Sequence, residues 1–130
     1  MLHPNKFEVN EAWIAFRLNS APVRTESDGD FNCIALIDAA SCYILGTELV
    51  PVTAAAPTQL EFRRLLGDAQ RHKQQLPKTL FVPREDVLDE LAHEAIRQSI
   101  DVLRVPESEL LIFTGEARQE FAKQFEEVPR

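Results

Sequence analysis

The order of strand-like and helix-like segments is the feature of this sequence that most restricts its fold. Three strand-like segments come first, over residues 12–18, 31–37 and 42–50, joined by short loops. Helix-like and strand-like segments then alternate along the rest of the chain. Strands joined by short loops pair antiparallel, whereas strands joined through a helix are added in parallel by a right-handed crossover. The sequence therefore predicts three antiparallel strands extended by later, helix-linked ones.

Apolar periodicity gives the character of the individual strands. Residues 12–18 alternate as in a half-buried strand, whereas residues 31–37 are apolar on both faces, as expected at the centre of a sheet. Gly46 lies in the third segment and is a candidate bulge or close-packing point. Residues 79–82 and 101–105 are short apolar strands, each closed by a proline. Five strands are therefore expected.

Three amphipathic helices are predicted between and after these strands. Thr58 and Glu61 have the spacing of a capping box, and Leu76-Pro77 ends the helix that they begin. Apolar residues recur at helical spacing in the first two helices: Phe62, Leu65, Leu66 and Ala69, then Val87, Leu88, Leu91, Ala92, Ala95 and Ile96. A third helix is expected over residues 114–127, after an ambiguous stretch at 107–113. The expected fold class is α/β, with the order βββαβαβα and a mixed five-stranded sheet flanked by helices.

Composition and charge limit the class of protein. A chain of 130 residues, 45% hydrophobic and 27% charged, fits one globular domain over residues 1–130 with a loose lead-in at residues 1–10. Its 21 acidic and 14 basic residues give a net charge of −7, which disfavours nucleic acid as a partner. The apolar runs are too short to span a membrane and the start lacks a secretion signal, so we expect a cytoplasmic protein. Cys33 and Cys42 lack zinc-site spacing and are interpreted as core thiols.

A family resemblance follows from the segment between the second and third strands. Residues 37–46 read Ile-Asp-Ala-Ala-Ser-Cys-Tyr-Ile-Leu-Gly, which resembles a hairpin of integrase and transposase cores: Ile-Asp, two residues, Ser or Thr, and an aliphatic strand ending in Gly. Trp13 in the first strand resembles a tryptophan that many such cores carry there. The chain thus resembles the ribonuclease-H-like catalytic core over roughly residues 11–121, in a degenerate form similar to uncharacterised bacterial proteins.

The resemblance also implies which residues should hold metal. Active members use three carboxylates to hold two divalent ions for an in-line displacement. The first belongs three residues after the tryptophan, where this chain has Phe16. The second belongs just after the fourth strand, where Pro83 or Arg84 stands, and the third on the final helix aligns only loosely with Glu116. The resemblance therefore implies the fold without its usual activity, and without a metal or other cofactor.

Two further acidic positions have a functional and a simpler interpretation. Asp38 ends a strand and is either a chemically active acid or, more simply, a residue that caps the hairpin turn. Asp89 and His93 stand four apart on the second helix and could begin a metal site, which would need a third protein ligand. Their many charged neighbours, Glu85, Asp86, Glu90, Glu94 and Arg97, indicate instead a solvated helix face.

Nucleophilic and ligand-binding chemistry finds little support. Ser41, Ser99 and Ser108 lack the Gly-x-Ser-x-Gly elbow, and the histidines are only His3, His72 and His93. The four glycines are scattered, so no phosphate-binding loop is present. Trp13, Phe16 and Tyr43 could line a pocket but are more simply core residues. Phe113, Phe121 and Phe125 form a helix face that is either core or an interface.

These observations favour one hypothesis and leave two alternatives. The favoured one is a non-catalytic integrase-core-like domain that acts as a protein-interaction or self-association module, as a homo-oligomer (a dimer) or with a protein partner. One alternative is a metal-dependent nuclease or phosphotransferase whose relocated ligands are drawn from Asp38, Glu85, Asp86 and Glu116, which must then converge within a few ångströms. The other is weak nucleic-acid binding by one helix, through Arg63, Arg64, Arg71 and Lys73.

Overall fold

A computed structural model describes residues 2–20, 22–24, 29–52, 59–86 and 88–126. The strands are β1 Ala12–Arg17, β2 Val23–Arg24, β3 Asp30–Asp38, β4 Ile44–Pro51, β5 Thr79–Pro83 and β6 Asp101–Val105. The helices are α1 Gln59–Lys73, α2 Asp89–Arg97 and α3 Leu111–Phe121, with 3-10 turns at Pro4–Lys6 and Glu107–Glu109 and a π-helical turn at Ala122–Glu126. None of the helices in these described ranges is long and apolar enough to cross a membrane.

The sheet has the mixed topology that the element order predicts. Its five main strands lie in the order β4-β3-β1-β5-β6, and the two-residue β2 pairs with the start of β3. β3 pairs antiparallel with β1 and β4, whereas β5 is parallel to β1 and to β6. The predicted fold class, a mixed five-stranded sheet with flanking helices, is confirmed.

The first strand is more buried than its alternation indicates. β1 lies between β3 and β5, and Ala12 to Phe16 are buried without exception. Trp13 and Ala15 belong to the core under α1 and α2, while Ile14 and Phe16 belong to the core under α3. The prediction of a half-buried strand was therefore wrong, because helices cover both faces of the sheet at this position.

The structure places Gly46 beside a bulge and at a point of close packing, the two roles that the sequence predicts for it. In the β3–β4 ladder Leu36 pairs with Gly46 and Ile37 with Ile44, so one extra residue on β4 forms a bulge there. A Cβ atom on Gly46 would stand 3.3 Å from Leu65 Cδ1 of α1. The missing side chain thus lets α1 approach the sheet closely.

The helix predictions hold for the apolar stripe of α1 and fail in part for α2 and α3. Phe62, Leu65, Leu66 and Ala69 are all fully buried. Thr58 of the predicted capping box and Val87 of the second helix lie outside the described residues. On α2 the predicted core residue Ile96 is 58% exposed, whereas Glu94, predicted to be solvated, is 3% exposed. The third helix begins at Leu111, three residues before its predicted start. The ambiguous stretch at 107–113 forms a 3-10 turn and the first residues of this helix.

Within residues 2–10, where the sequence predicts a loose lead-in, Leu2 and Phe7 pack against the core under α3. The ring centroid of Phe7 lies 5.8 Å from that of Phe81 and 6.1 Å from that of Phe113, in edge-to-face geometry. Asn10 is buried, with a left-handed φ of 67° that asparagine tolerates better than most residues. This segment therefore closes the α3 side of the core.

Candidate functional site

The place that the resemblance assigns to metal ligands lies where the parallel strands β1 and β5 end side by side. We call it the β1–β5 corner, and define it by Phe16, Arg17, Asp86, Glu107 and Arg118. Phe16, at the position of the first expected carboxylate, is fully buried. Pro83, at one possible position of the second, is the last residue of β5 and is also buried. The corner is therefore built from apolar side chains at its centre.

A positively charged side chain from the last helix fills the rest of the corner. The guanidinium carbon of Arg118 lies 5.4 Å from the centroid of the Phe16 ring, within the range of a cation–π contact. Arg118 Nε donates a hydrogen bond to the carbonyl oxygen of Arg17 at 3.1 Å. Its Nη1 forms an ion pair with Glu107 Oε1. One cation thus ties together the end of β1, the turn after β6 and α3.

The two acids that follow β5 serve the backbone around this corner. Asp86 Oδ2 accepts a hydrogen bond from the Arg17 amide at 3.2 Å. Glu85 Oε1 accepts one from the Glu107 amide at 2.9 Å, at the start of a 3-10 turn. Arg84, the other residue at the second expected ligand position, is exposed. Both acids therefore act as caps for backbone donors.

The residues of the β1–β5 corner do not fit a divalent metal. Magnesium and manganese require several oxygen ligands, whereas an aromatic ring and a guanidinium occupy the centre of this site. Glu116, the loose counterpart of the third ligand, is exposed and lines a groove beside Cys42 and Tyr43 instead. Among the described residues, no three histidine, cysteine, aspartate or glutamate side chains are grouped so as to hold a metal ion.

The relocated-ligand alternative lacks the convergence it needs. Asp38 pairs with Trp13 in the β1–β3 ladder, three residues from Phe16, which corresponds to about 10 Å along a strand. Asp86 bonds to Arg17, on the far side of Phe16 from Trp13. Asp38 and Asp86 therefore lie toward opposite ends of β1, and the proposed set of Asp38, Glu85, Asp86 and Glu116 is not brought together.

Asp38 performs the turn-capping role that the simpler interpretation gives it. It is fully buried, and its Oδ2 accepts hydrogen bonds from the amide and the hydroxyl of Ser41, both at 2.9 Å. Its Oδ1 accepts a third from the Asn10 amide at 2.6 Å. Asn10 Oδ1 in turn accepts the indole N–H of Trp13 at 2.7 Å. The carboxylate therefore holds the hairpin, the N-terminal segment and β1 in one network. The sequence did not identify Asn10 as a member of this network.

The metal-like pair on α2 is not a site. Asp89 Oδ1 accepts a hydrogen bond from Arg104 of β6 at 2.7 Å, and His93 is exposed. No third ligand joins them among the described residues. The interpretation of a solvated face is correct for these two residues and wrong for Glu94.

Glu94 lies at the centre of a charged network between α1 and α2. Its carboxylate accepts hydrogen bonds from Arg63 at 3.3 Å, Arg97 at 3.1 Å and Gln98 at 3.2 Å. Because two arginines compensate the burial of one carboxylate, the network can be tolerated between the helices. The rotation of α2 that buries Glu94 also exposes Ile96.

The basic residues of α1 are mostly engaged with acids. Arg63 pairs with Glu94 at 3.3 Å, Arg64 with Glu48 at 3.1 Å, and Arg71 with Asp68. Lys73 lies 6.0 Å from the Tyr43 ring centroid. A phosphate backbone would have to displace these acidic partners, so the observed contacts weaken the case for nucleic-acid binding through α1.

The aromatic residues considered for a pocket do not share one. Trp13 and Phe16 belong to cores on opposite faces of the sheet. Tyr43 is 56% exposed and stacks on His72 of α1, with 5.5 Å between ring centroids. Of the C-terminal aromatics, Phe113 is buried and Phe121 partly buried, while the side chain of Phe125 lies outside the described set.

The two thiols are free, and their environment makes them poor nucleophiles. Burial raises the pKa of the Cys33 thiol, and the Glu48 carboxylate raises it further. Burial also raises the pKa of Cys42, with smaller contributions from the carboxylates of Asp38 and Glu116. A raised pKa leaves less thiolate at a given pH, and the thiolate is the reactive form.

We expect slow alkylation of Cys42. The inflection in a plot of its alkylation rate against pH should lie at a higher pH than for an unstructured cysteine, because the pKa of the thiol is raised. In a Cys33→Ala background, the rate with iodoacetamide should rise with pH, and Glu116→Gln should increase the rate near neutral pH because it removes a nearby negative charge. Glu109→Gln is the matched control and should leave the rate unchanged. A wild-type rate equal to that of a cysteine peptide would contradict the expectation.

Comparison with known proteins gives matches at the level of structure. The sequence matches no protein-family profile, and no curated protein sequence matches it. A chain of the simian T-cell lymphotropic virus intasome in complex with PP2A regulatory subunit B56 gamma, solved by cryo-EM, superposes with a TM-score of 0.55 at 13% identity, over 99% of this protein and 45% of that chain. This protein thus spans less than half the length of that neighbour.

A second neighbour is the HTLV-2 integrase catalytic core domain in complex with magnesium, in its dimeric form. It has a TM-score of 0.47 at 9% identity, over 92% of this protein and 76% of that chain. The neighbours are retroviral integrase cores of low sequence identity. The strand order and the superposition on the first of them show a mixed five-stranded sheet with flanking helices, consistent with the ribonuclease-H-like fold of an integrase core.

Proposed function

We propose that this protein is a non-catalytic integrase-core-like domain that works by binding protein. The observation that carries the proposal is the content of the β1–β5 corner. Phe16 occupies the position of the first expected metal ligand, and the guanidinium of Arg118 lies over its ring. A cation held there by Glu107 and by the Arg17 carbonyl would repel a divalent metal ion.

The acids near the corner also support the proposal. Asp86 and Glu85 are hydrogen-bonded to the backbone amides of Arg17 and Glu107, so they are engaged in holding the fold. The net charge of −7 and the paired arginines of α1 argue against a nucleic-acid substrate. A protein partner remains the class of ligand that these features favour.

The proposal predicts that the protein neither binds catalytic metal ions nor cleaves nucleic acid. Calorimetric titration with Mg²⁺ and with Mn²⁺ should give no saturable heat, because the corner offers a cation instead of grouped carboxylates. Incubation with single- and double-stranded DNA and with RNA should leave each intact in the presence of either ion.

Two variants make this test specific to the corner. Asp86→Asn removes the acid that binds the Arg17 amide at the corner, and Asp101→Asn is a control on the exposed start of β6. Metal-dependent cleavage that Asp86→Asn abolished and Asp101→Asn preserved would overturn the non-catalytic proposal.

A further inference from the structure

A groove of about 530 Å³ separates the turn that precedes β4 from helix α3. We call it the hairpin–α3 groove. Leu18 and Phe113, both buried, form its floor. Tyr43 and Ile44 form one wall, and Ala117 and Phe121 of α3 belong to the other. Its volume falls in the range of clefts that accept several apolar groups.

The groove presents apolar surface to solvent. Ile44 is 41% exposed although it is large and hydrophobic, whereas the ring of Tyr43, also exposed, stacks on His72 of α1. Covering such surface is favourable by roughly 25 cal/mol for each Å² removed from water. A ligand with apolar side chains would therefore gain free energy by lying between the hairpin and α3.

The rim of the groove on the α3 side is acidic. Glu116 and Glu120 are both exposed and stand four residues apart, on the same side of the helix. Within the described part of the chain, Glu116 has no hydrogen bond or ion pair, and Glu120 has only a 3.6 Å contact with exposed Lys123. No described lysine, arginine or histidine lines the groove. The rim thus leaves two carboxylates available to a ligand.

The field of Glu116 reaches the other wall. It contributes, after burial and Asp38, to the raised pKa of the Cys42 thiol across the groove. The Glu116 carboxylate therefore lies near enough to the hairpin wall to act on Cys42. Apolar walls under a negative rim are complementary to a segment that carries both apolar and basic side chains.

We propose that the hairpin–α3 groove binds a basic amphipathic segment of a partner protein. Apolar side chains of the segment lie between Ile44 and Ala117, and its lysines or arginines meet Glu116 and Glu120. This inference rests on the proposed function and names its partner class. A different protein fits better than a second copy, because each copy carries a net charge of −7 and the arginines of α1 are already paired with acids.

The test uses a short fluorescein-labelled peptide with leucines at helical spacing and lysines elsewhere, titrated with the whole chain by fluorescence polarisation. Saturable binding is expected. The double variant E116Q/E120Q should weaken it about three- to tenfold, in line with two exposed ion pairs. Ile44→Thr keeps the β-branch but replaces the ethyl group with a hydroxyl, and should weaken binding about two- to fivefold.

The control variant D101N/E109Q removes the same charge from two exposed acids outside the groove and should bind as wild type does. An equal loss in both double variants would overturn the groove proposal, because the peptide would then respond only to net charge. Equal binding of a peptide with serines in place of the leucines would overturn it too.

Sedimentation velocity tests the alternative occupant of the groove, a second copy of this chain. A dimer that Ile44→Thr dissociates, without peptide binding, would assign the groove to a second copy and overturn the partner-protein proposal. A monomer that binds the peptide would support it. These outcomes are independent of the metal and cleavage assays, so failure of the groove proposal and failure of the non-catalytic proposal can be told apart.

Discussion

Replacing Asp38 with alanine is expected to lower the free energy of unfolding by about 3 kcal/mol. The side chain is fully buried and accepts three hydrogen bonds, from the Asn10 amide and from the amide and hydroxyl of Ser41. Hydrogen bonds to a charged group are stronger than neutral ones, and alanine would leave the buried Asn10 amide without its acceptor. The loss should appear as a lower midpoint in urea denaturation with an unchanged slope.

Two further variants separate charge from shape at this position. Asp38→Asn keeps the size of the side chain and one acceptor oxygen, so we expect a smaller loss of about 1–2 kcal/mol. Asp101→Ala, at an exposed position on β6, should change the stability by less than about 0.5 kcal/mol. An Asp38→Ala variant as stable as Asp101→Ala would show that the buried network contributes nothing, contrary to the structure.

The second large effect is expected at Phe16. Truncation to alanine should cost about 3–5 kcal/mol, the usual range for a buried phenylalanine, because it opens a cavity beneath the guanidinium of Arg118. Phe16→Leu conserves most of the volume and should cost less than about 1.5 kcal/mol. Thermal and urea unfolding of the two variants measure the difference.

Tyr43→Ala provides the matched control for an aromatic residue outside the core. Its ring is largely exposed and stacks on His72, so we expect a loss of under about 1 kcal/mol. If Phe16→Ala were no more costly than Tyr43→Ala, the packed β1–β5 corner would be contradicted. The comparison thus tests whether Phe16 stabilises the packed core at this corner.

Features set by local sequence were predictable. In the hairpin from Ile37 to Gly46, the aspartate bonds to the backbone three residues on, an effect that acts over a few residues. Gly46 could be marked as a bulge or close-packing point from its residue type, although its neighbour Leu65 lies on α1. The apolar stripe of α1 is likewise a matter of helical spacing alone. The fold class followed from the order of such elements.

Features set by distant contacts were not predictable from one sequence. Arg118 and the Arg17 carbonyl that it binds are 101 residues apart, and nothing local marks their meeting over Phe16. Glu94 is predicted from the sequence to lie on a charged helix exterior. The sequence does not indicate its contact with Arg63 of α1, 31 residues away. The burial of both faces of β1 depends in the same way on where the helices pack.

Asn10 lies between these two cases. Its left-handed φ and its position three residues before Trp13 are local features, and an asparagine just before a strand is a recognisable turn signal. Its hydrogen bond to Asp38, 28 residues later, is not local. The sequence could therefore indicate the turn but not the network that the turn completes.

The cation at the β1–β5 corner makes the introduction of a metal site a multi-step change. A lone Phe16→Asp exchange would set a new carboxylate beside the Arg118 guanidinium, where the two would neutralise each other instead of leaving an open ligand. Removing Arg118 as well would leave Glu107 without its ion-pair partner and the Arg17 carbonyl without its donor. An engineered route from this chain to a metal-holding version of its fold therefore needs more than the Phe16→Asp exchange, because Arg118 and its partners would also have to be replaced.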